Sequence, residues 1–265
     1  MILRLAALLL PVASGLAYAA VSGASRGALV GAGAGLVLGL VANLVPQFRV
    51  IPAKVGGVFL IAALYAAAIF GPEIEGAHRW IAAPAITLNS ALVCLPPLAV
   101  FAARVRRGWL VAGLVTVFLA GLLQPDASIL LSLGGIMAAL GRRNLAVWVA
   151  AVLCAGVGAI MALYDRLDAV PHIEHVLQDA WAVSPAAAVA LCLAFAGAMA
   201  IITLGLPRRG VPRSEAYALA GSLAGLMIAS LLGPFPTPLL GLAPSAAIGT
   251  GVGLALLLRR SGRAG

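Results

Sequence analysis

Long apolar runs recur along the chain, each close to the length that a membrane-crossing helix needs. A helix requires roughly 20 mainly apolar residues to cross the hydrocarbon core of a bilayer. The runs therefore predict ten transmembrane helices joined by short polar connections, whereas a β-barrel would show short alternating segments. The predicted spans are 2–21, 27–45, 55–70, 81–103, 109–123, 127–140, 145–164, 185–206, 216–232 and 239–258.

Composition fixes the class of protein. Of the 265 residues, 63% are hydrophobic and only 9% are charged, whereas an average soluble domain carries about 25% charged residues. With so few charges the chain has too little polar surface for a soluble globule. The sequence predicts an all-α, polytopic integral membrane protein. Residues 1–265 form a single transmembrane domain, because no polar stretch is long enough for a soluble one.

The charges divide between the two sides of the predicted bundle. If the N-terminus lies in the cytoplasm, 14 of the 17 basic residues fall in cytoplasmic segments, and all the acidic residues except Glu215 fall outside. Basic residues prefer the cytoplasmic side, so we expect both termini to be cytoplasmic. The net charge of +9 therefore reflects orientation in a membrane, and no nucleic-acid partner is expected.

The first span also resembles a secretory signal peptide, with Arg4 before an apolar stretch and the small residues Ala17 and Ala19 near its end. We expect it to be retained as a helix, because a polytopic chain needs no cleavable signal.

Almost all the polar chemistry of the outer side lies in three segments, 71–80, 124–128 and 164–181. Charged groups beside the hydrocarbon are costly, so those kept there are functional candidates. Arg79 next to Trp80 suits a phosphate or a lipid headgroup, because a guanidinium binds phosphate through two hydrogen bonds and an indole anchors at the interface. The alternative is a helix-end anchor in which Arg79 pairs with Glu75.

Asp126 follows Gln-Pro at the start of the sixth span. It is either a functional acid or a favourable charge at the helix N-terminus, with Pro125 in the first turn. In the loop after the seventh span, Asp165 and Asp168 are candidate bases or ordinary hydrated acids. His172, Glu174 and His175 are too loosely spaced, without an evident further ligand, to predict a metal site.

Two of these segments match motifs of a known family, and a third segment near the end matches more loosely. Gly71-Pro-Glu-Ile-Glu-Gly-Ala-His-Arg-Trp-Ile81 resembles the pattern G-x-x-x-N-G-A-x-R-W-I of the FtsW/RodA/SpoVE (SEDS) proteins, with Glu75 in place of Asn. Leu122-Leu-Gln-Pro-Asp-Ala-Ser128 resembles the family's L-x-Q-P-D-x-G-T. The Pro- and Gly-rich segment 234–245 resembles the family's P-L-P-F-x-S-Y-G-G-S. The order of the segments and the ten spans also agree.

The resemblance implies a cell-wall enzyme of division or elongation in the bacterial cytoplasmic membrane. Such proteins are peptidoglycan glycosyltransferases that polymerise lipid II on the outer face, together with a class B penicillin-binding protein. It implies that Arg79 and Asp126 contact substrate in an outer cavity. We therefore predict Asp126 and Asp168 as catalytic residues, and Arg79, Trp80 and Glu75 as substrate-binding residues. Asp168, or else Asp165, would supply the catalytic carboxylate of the outer loop. No cofactor is certain, and a divalent cation would suit a pyrophosphate leaving group.

The chain departs from the family in the fourth span. The family carries Q-P-S-E-x-x-K there, whereas this chain reads Leu88-Asn-Ser-Ala-Leu-Val-Cys94 and keeps only Ser90. The loss of the glutamate and the lysine keeps two alternatives open. One is a catalytically degenerate scaffold that binds an envelope or division partner. The other is a lipid or small-solute transporter, which the lack of acidic residues in mid-span disfavours.

Overall fold

A computed structural model of the chain describes residues 1–45, 51–73, 78–83, 86–141, 144–165 and 169–257. Helices dominate these residues, which confirms the predicted all-α, polytopic class. The helices are α1 (Ile2–Val21), α2 (Arg26–Leu44), α3 (Ala53–Phe70), α4 (Ser90–Ala102), α5 (Arg107–Leu123), α6 (Ala127–Leu140), α7 (Leu145–Tyr164), α8 (Val176–Val183), α9 (Pro185–Ala200), α10 (Arg213–Leu232) and α11 (Pro244–Leu256). A π-helical turn, Ile201–Gly205, and a 3-10 turn, Pro207–Arg209, extend α9.

Within the described ranges, six helices are long and apolar enough to cross a membrane by length and composition: α1, α2, α3, α7, α9 with its extension, and α10. Four apolar helices, α4, α5, α6 and α11, are shorter. The most deeply buried elements of the bundle are the short helices α4, α6 and α11 and the long helix α10. The other five long helices surround this centre and expose apolar side chains outward, as expected of a surface that faces lipid.

The prediction of a helix over 81–103 is wrong in its first part. Strands β1 (Trp80–Ala83) and β2 (Ile86–Asn89) form an antiparallel hairpin in which Trp80 pairs with Asn89. Pro84 falls between the strands in the sequence, and the β-branched residues of this stretch favour extended backbone. Helix α4 begins only at Ser90, where the Asn89 side chain accepts a hydrogen bond from the Leu92 amide at 3.0 Å.

The last span is also shorter than predicted, because α11 begins at Pro244 and not at residue 239. The residues before it run as buried irregular chain. The sequence places Pro234, Pro236 and Pro238 there, and proline cannot donate the hydrogen bonds of a helix interior. The outer loop supplies partners instead, since the Thr237 amide donates to the Ile173 carbonyl at 2.8 Å. Helix α8, in the same outer loop, was not predicted.

Close packing at the centre depends on residues without bulky side chains. Gly135 and Gly221 bring the backbones of α6 and α10 into direct contact, and a Cβ on either would overlap the other's carbonyl group. Beside them the hydroxyls of Ser132 and Ser222 are hydrogen-bonded at 2.8 Å. Small residues and interhelical hydrogen bonds hold membrane helices together where lipid removes the hydrophobic driving force.

Polar contacts gather at the two ends of the bundle. At the end predicted to face the cytoplasm, Arg104 lies 2.8 Å from Glu215 and also donates to the Leu256 carbonyl. Arg4 donates to the neighbouring Leu257 carbonyl. Arg104 and Arg4 both donate hydrogen bonds to carbonyls at the C-terminus of α11. Two cations therefore lie at the negative end of the dipole of that helix. The opposite end holds the candidate site.

Candidate functional site

The site begins at the turn between α5 and α6, where Gln124 joins three helices. Its side chain is buried, with 1% exposure. The amide nitrogen donates to the Leu64 carbonyl of α3, and the amide oxygen accepts from the Ser90 hydroxyl of α4 at 3.2 Å. Ser90 is the residue that remains of the fourth-span motif. Gln124 therefore fixes the outer ends of α3, α4 and α5 relative to the next residues of the turn.

Asp126 is the N-cap of α6 and is fully buried. One carboxylate oxygen, Oδ1, accepts from the Ser128 amide at 2.9 Å and from the Ser128 hydroxyl at 2.6 Å. The other, Oδ2, is buried with no hydrogen-bond partner among the described residues. The cap confirms the structural alternative of the sequence analysis, although Pro125 precedes the cap and does not lie in the first turn. The unpartnered Oδ2 leaves half of this carboxylate available for a further interaction.

Arg79 lies against the same turn. Its Nη2 donates to the Pro125 carbonyl at 2.9 Å and to the Asp165 carboxylate at 2.5 Å. The guanidinium carbon is 4.9 Å from the centre of the Phe235 ring, and Arg79 is only 6% exposed. Its Nε is buried without a hydrogen-bond partner in the described structure. Arg79 is thus a buried cation, paired with one carboxylate and covered by an aromatic ring.

The hairpin places Arg79 at this point. The Ser90 amide donates to the Arg79 carbonyl at 3.0 Å, just beyond the Trp80–Asn89 pair. On the other strand Asn89 is held in turn, because its backbone amide donates to the Ser245 hydroxyl oxygen of α11 at 2.8 Å. Arg79 therefore stands on a strand anchored to α4 and α11, which limits its movement relative to α6.

The predicted site residues divide into three groups. The structure brings Arg79 into contact with the residue next to Asp126, so these two lie in one site. Trp80 is half-buried as the first residue of β1, and its contact with substrate remains a prediction. Glu75 and Asp168 lie outside the described residues. Among those described, the partner of Arg79 is Asp165, the second choice for the loop acid.

Two residues that contribute to the site were not predicted from the sequence. Phe235 covers Arg79 from the irregular segment before α11, and Gln124 positions the turn. Both lie within or beside the motifs that carry the family resemblance, which was the available signal. The role of Gln124 could not be read from the sequence, because its partners Ser90 and Leu64 lie 34 and 60 positions away in the chain.

The outer loop is pinned to the segment before α11. Glu174 accepts from the Val170 amide at 2.9 Å, and the Leu242 amide donates to the His172 carbonyl at 2.8 Å. Over the ranges that the structure covers, no three His, Cys, Asp or Glu side chains group closely enough to hold a metal ion.

No protein-family model and no curated protein sequence matches this chain. Solved structures do match. The rod shape determining protein RodA of Thermus thermophilus superposes with a TM-score of 0.74 at 19% identity, covering 97% of this chain and 96% of that one. An aspartate-to-alanine mutant of that RodA gives 0.72 at 20% identity over 98% and 96%.

A third match is a chain from a peptidoglycan synthase complex described as coordinating polymerization and crosslinking. It gives a TM-score of 0.64 at 19% identity, covering 96% of each chain. The chain thus has the fold of a polytopic membrane protein of the RodA type along nearly its whole length. The resemblance to the FtsW/RodA/SpoVE family is confirmed at the level of the fold.

Proposed function

We propose that this protein is a divergent member of the FtsW/RodA/SpoVE family that acts in bacterial cell-wall synthesis, as a peptidoglycan glycosyltransferase that polymerises lipid II. The observation that supports this most is the buried Arg79–Asp165 pair, which lies beside the half-satisfied carboxylate of Asp126 at the outer ends of a RodA-type fold. A cation and acids held at a membrane surface suit a substrate that carries a pyrophosphate and a sugar hydroxyl.

In this reaction the acceptor sugar hydroxyl attacks the anomeric carbon of the donor. A new carbon–oxygen bond forms as the bond to the lipid pyrophosphate breaks, and the pyrophosphate leaves with the electron pair. A carboxylate takes the hydroxyl proton, and a cation offsets the charge on the leaving group. We assign the base to Asp168, with Asp165 as the alternative, and the cation to Arg79. Asp126 then accepts a hydrogen bond from substrate through Oδ2.

Asp165 contacts Arg79 at Nη2, at 2.5 Å, so a substrate phosphate would compete with this carboxylate for the guanidinium. A pyrophosphate carries more charge than one carboxylate and also binds guanidinium through two hydrogen bonds. Its arrival would release Asp165 next to the acceptor. Binding of the donor and exposure of a carboxylate are then coupled. Glu75 and Trp80 are assigned to the rim that contacts the lipid-linked sugar.

Polymerisation of labelled lipid II by the purified protein tests this function, alone and with a class B penicillin-binding protein, the partner that we infer. Asp168→Ala, Asp126→Ala and Asp165→Asn are compared with Asp179→Ala, which removes an exposed acid from α8 in the same outer loop. The assignment is supported if the parent and Asp179→Ala make product, Asp126→Ala makes none, and at least one of Asp168→Ala and Asp165→Asn also makes none. If all the variants make as much product as the parent, the residues of this site do not take part in the reaction.

A catalytically degenerate scaffold is the second candidate. The same ion pair favours it, since Arg79 is already neutralised and covered, and the fourth-span glutamate and lysine are missing from the sequence. A scaffold would make no product under conditions in which a control polymerase is active. Its growth phenotype would survive Asp126→Ala and Asp168→Ala but fail when outward helix surfaces are altered. A bacterial inner-membrane location is proposed for either candidate.

A further inference from the structure

A wedge-shaped groove opens between α3 and α5 on the side of the bundle that faces lipid. Its volume is about 430 Å³, within the range of about 300–1,000 Å³ of small-molecule sites. Leu98 and Phe101 of α4, with Leu133 and Ile136 of α6, form its floor. This groove lies at the end of the bundle opposite to Arg79.

Helix α5 is buried only in its second half, which leaves its first half to line the groove. The buried residues of α5 are Val117, Ala120 and Gly121, all in its second half. At the middle, the Tyr65 hydroxyl of α3 donates to the Thr116 carbonyl at 2.9 Å and closes the top of the groove. Below this bond both helices line the groove.

Glycine keeps the groove open. A side chain on Gly57 would first meet Leu98 at 3.9 Å, and one on Gly113 would first meet Ile61 at 3.8 Å. Both distances are ordinary contacts, so larger residues would project into the groove without striking backbone. The space is therefore a property of particular residues in α3 and α5 and not of their backbone paths alone.

The mouth of the groove carries positive charge. Lys54 lies at the start of α3, and its Nζ is 4.8 Å from the centre of the Trp109 ring at the start of α5. Arg106 and Arg107 are exposed at the same end. Neither helix has a side-chain cap at its N-terminus, so two positive helix ends add to these cations. The positive-inside rule places this mouth at the cytoplasmic surface.

The length of the groove matches one leaflet. Lys54 and Tyr65 are eleven residues apart on α3, which is roughly 16 Å at about 1.5 Å per residue. Half of a hydrocarbon core of roughly 30 Å is about 15 Å. One acyl chain suits an apolar groove of this length.

We propose that this groove binds one anionic phospholipid of the cytoplasmic leaflet, with an acyl chain between α3 and α5 and its phosphate at Lys54. Basic pockets between membrane helices select acidic lipid headgroups by charge. The apolar walls bind the acyl chain through the apolar surface that is buried on contact. The site is independent of the polymerase reaction, because it lies at the other face of the membrane and shares no residue with the Arg79 site.

The first experiment measures lipid retention by native mass spectrometry of the detergent-purified full chain, titrated with dioleoyl phosphatidylglycerol or dioleoyl phosphatidylcholine. We expect one phosphatidylglycerol to bind more tightly than phosphatidylcholine. Gly113→Leu should weaken both at least about tenfold, the loss expected when as few as two methylenes leave protein contact. Gly33→Leu is the matched control, since Gly33 lies on α2 with nothing within 4 Å of an added Cβ.

Lys54→Ala tests the headgroup, with Arg208→Ala as the control because Arg208 is an exposed cation beyond α9. Lys54→Ala should reduce the preference for phosphatidylglycerol and leave phosphatidylcholine binding unchanged. Melting temperatures confirm folding, and Gly57→Leu is a second filling variant. Equal binding by the Gly113, Gly57 and Gly33 variants would overturn the proposal. Displacement of phosphatidylglycerol by equimolar undecaprenyl phosphate would also overturn it, in favour of a polyprenyl lipid.

Discussion

The two carboxylate oxygens of Asp126 lie in different environments, and this difference gives the sharpest test of the outer site. Its Oδ1 caps α6 through the Ser128 amide and hydroxyl, whereas its buried Oδ2 contacts no described partner. Asparagine caps a helix about as well as aspartate, and alanine does not. Asp126→Asn therefore removes the charge but keeps the cap, and Asp126→Ala removes both.

The structure sets the size of each effect. Loss of the cap costs about 0.5–2 kcal/mol. In Asp126→Ala the Ser128 hydroxyl, at 3% exposure, also loses its acceptor, and an unsatisfied buried group costs about 1–3 kcal/mol. Asp126→Ala should therefore lose about 1.5–5 kcal/mol of unfolding free energy. Asp126→Asn should stay within about 1 kcal/mol of the parent.

The assay combines thermal unfolding in detergent with lipid II polymerisation on the same preparations. We expect Asp126→Asn to keep the parent melting temperature and to lose most of the polymerisation, because asparagine carries no charge. A fully active Asp126→Asn would reduce Asp126 to a helix cap and refute its place in the substrate site. If Asp126→Asn instead melts as early as Asp126→Ala, the reasoning about the cap is wrong.

Three further predictions concern packing and buried charge. Asp165→Asn leaves Arg79 as an uncompensated buried cation, so we expect a loss of about 3–5 kcal/mol in unfolding free energy, which Arg79→Met in the same chain should largely restore. Gly225→Ala drives a methyl group into the α6 backbone, where a Cβ would overlap Leu131. Overpacking of this kind costs about 1–3 kcal/mol and should lower the melting temperature, unlike Gly33→Ala on the open face of α2. Glu215→Gln weakens the ion pair with Arg104 at 2.8 Å, and a fall in melting temperature that vanishes in an Arg104→Gln background would confirm the coupling.

The sequence alone determined the class of protein and the positions of most spans. Apolar runs of about membrane length appear locally, because each helix must satisfy its backbone within itself whatever its neighbours are. Helices α1 and α7 accordingly match the predicted spans 2–21 and 145–164 residue for residue. The motif around Arg79 also indicated the RodA-type fold.

The tertiary structure decided the contacts. The hairpin at Trp80–Asn89 replaced part of a predicted helix, since the apolar content of that stretch satisfies a buried strand as well as a helix. The partner of Arg79 was also undetermined, because several outer acids are equivalent in sequence and only the packing of α6, α7 and the 233–243 segment brings Asp165 and Phe235 to it. Glycine contacts between central helices fix that packing, and they act between positions far apart in the chain.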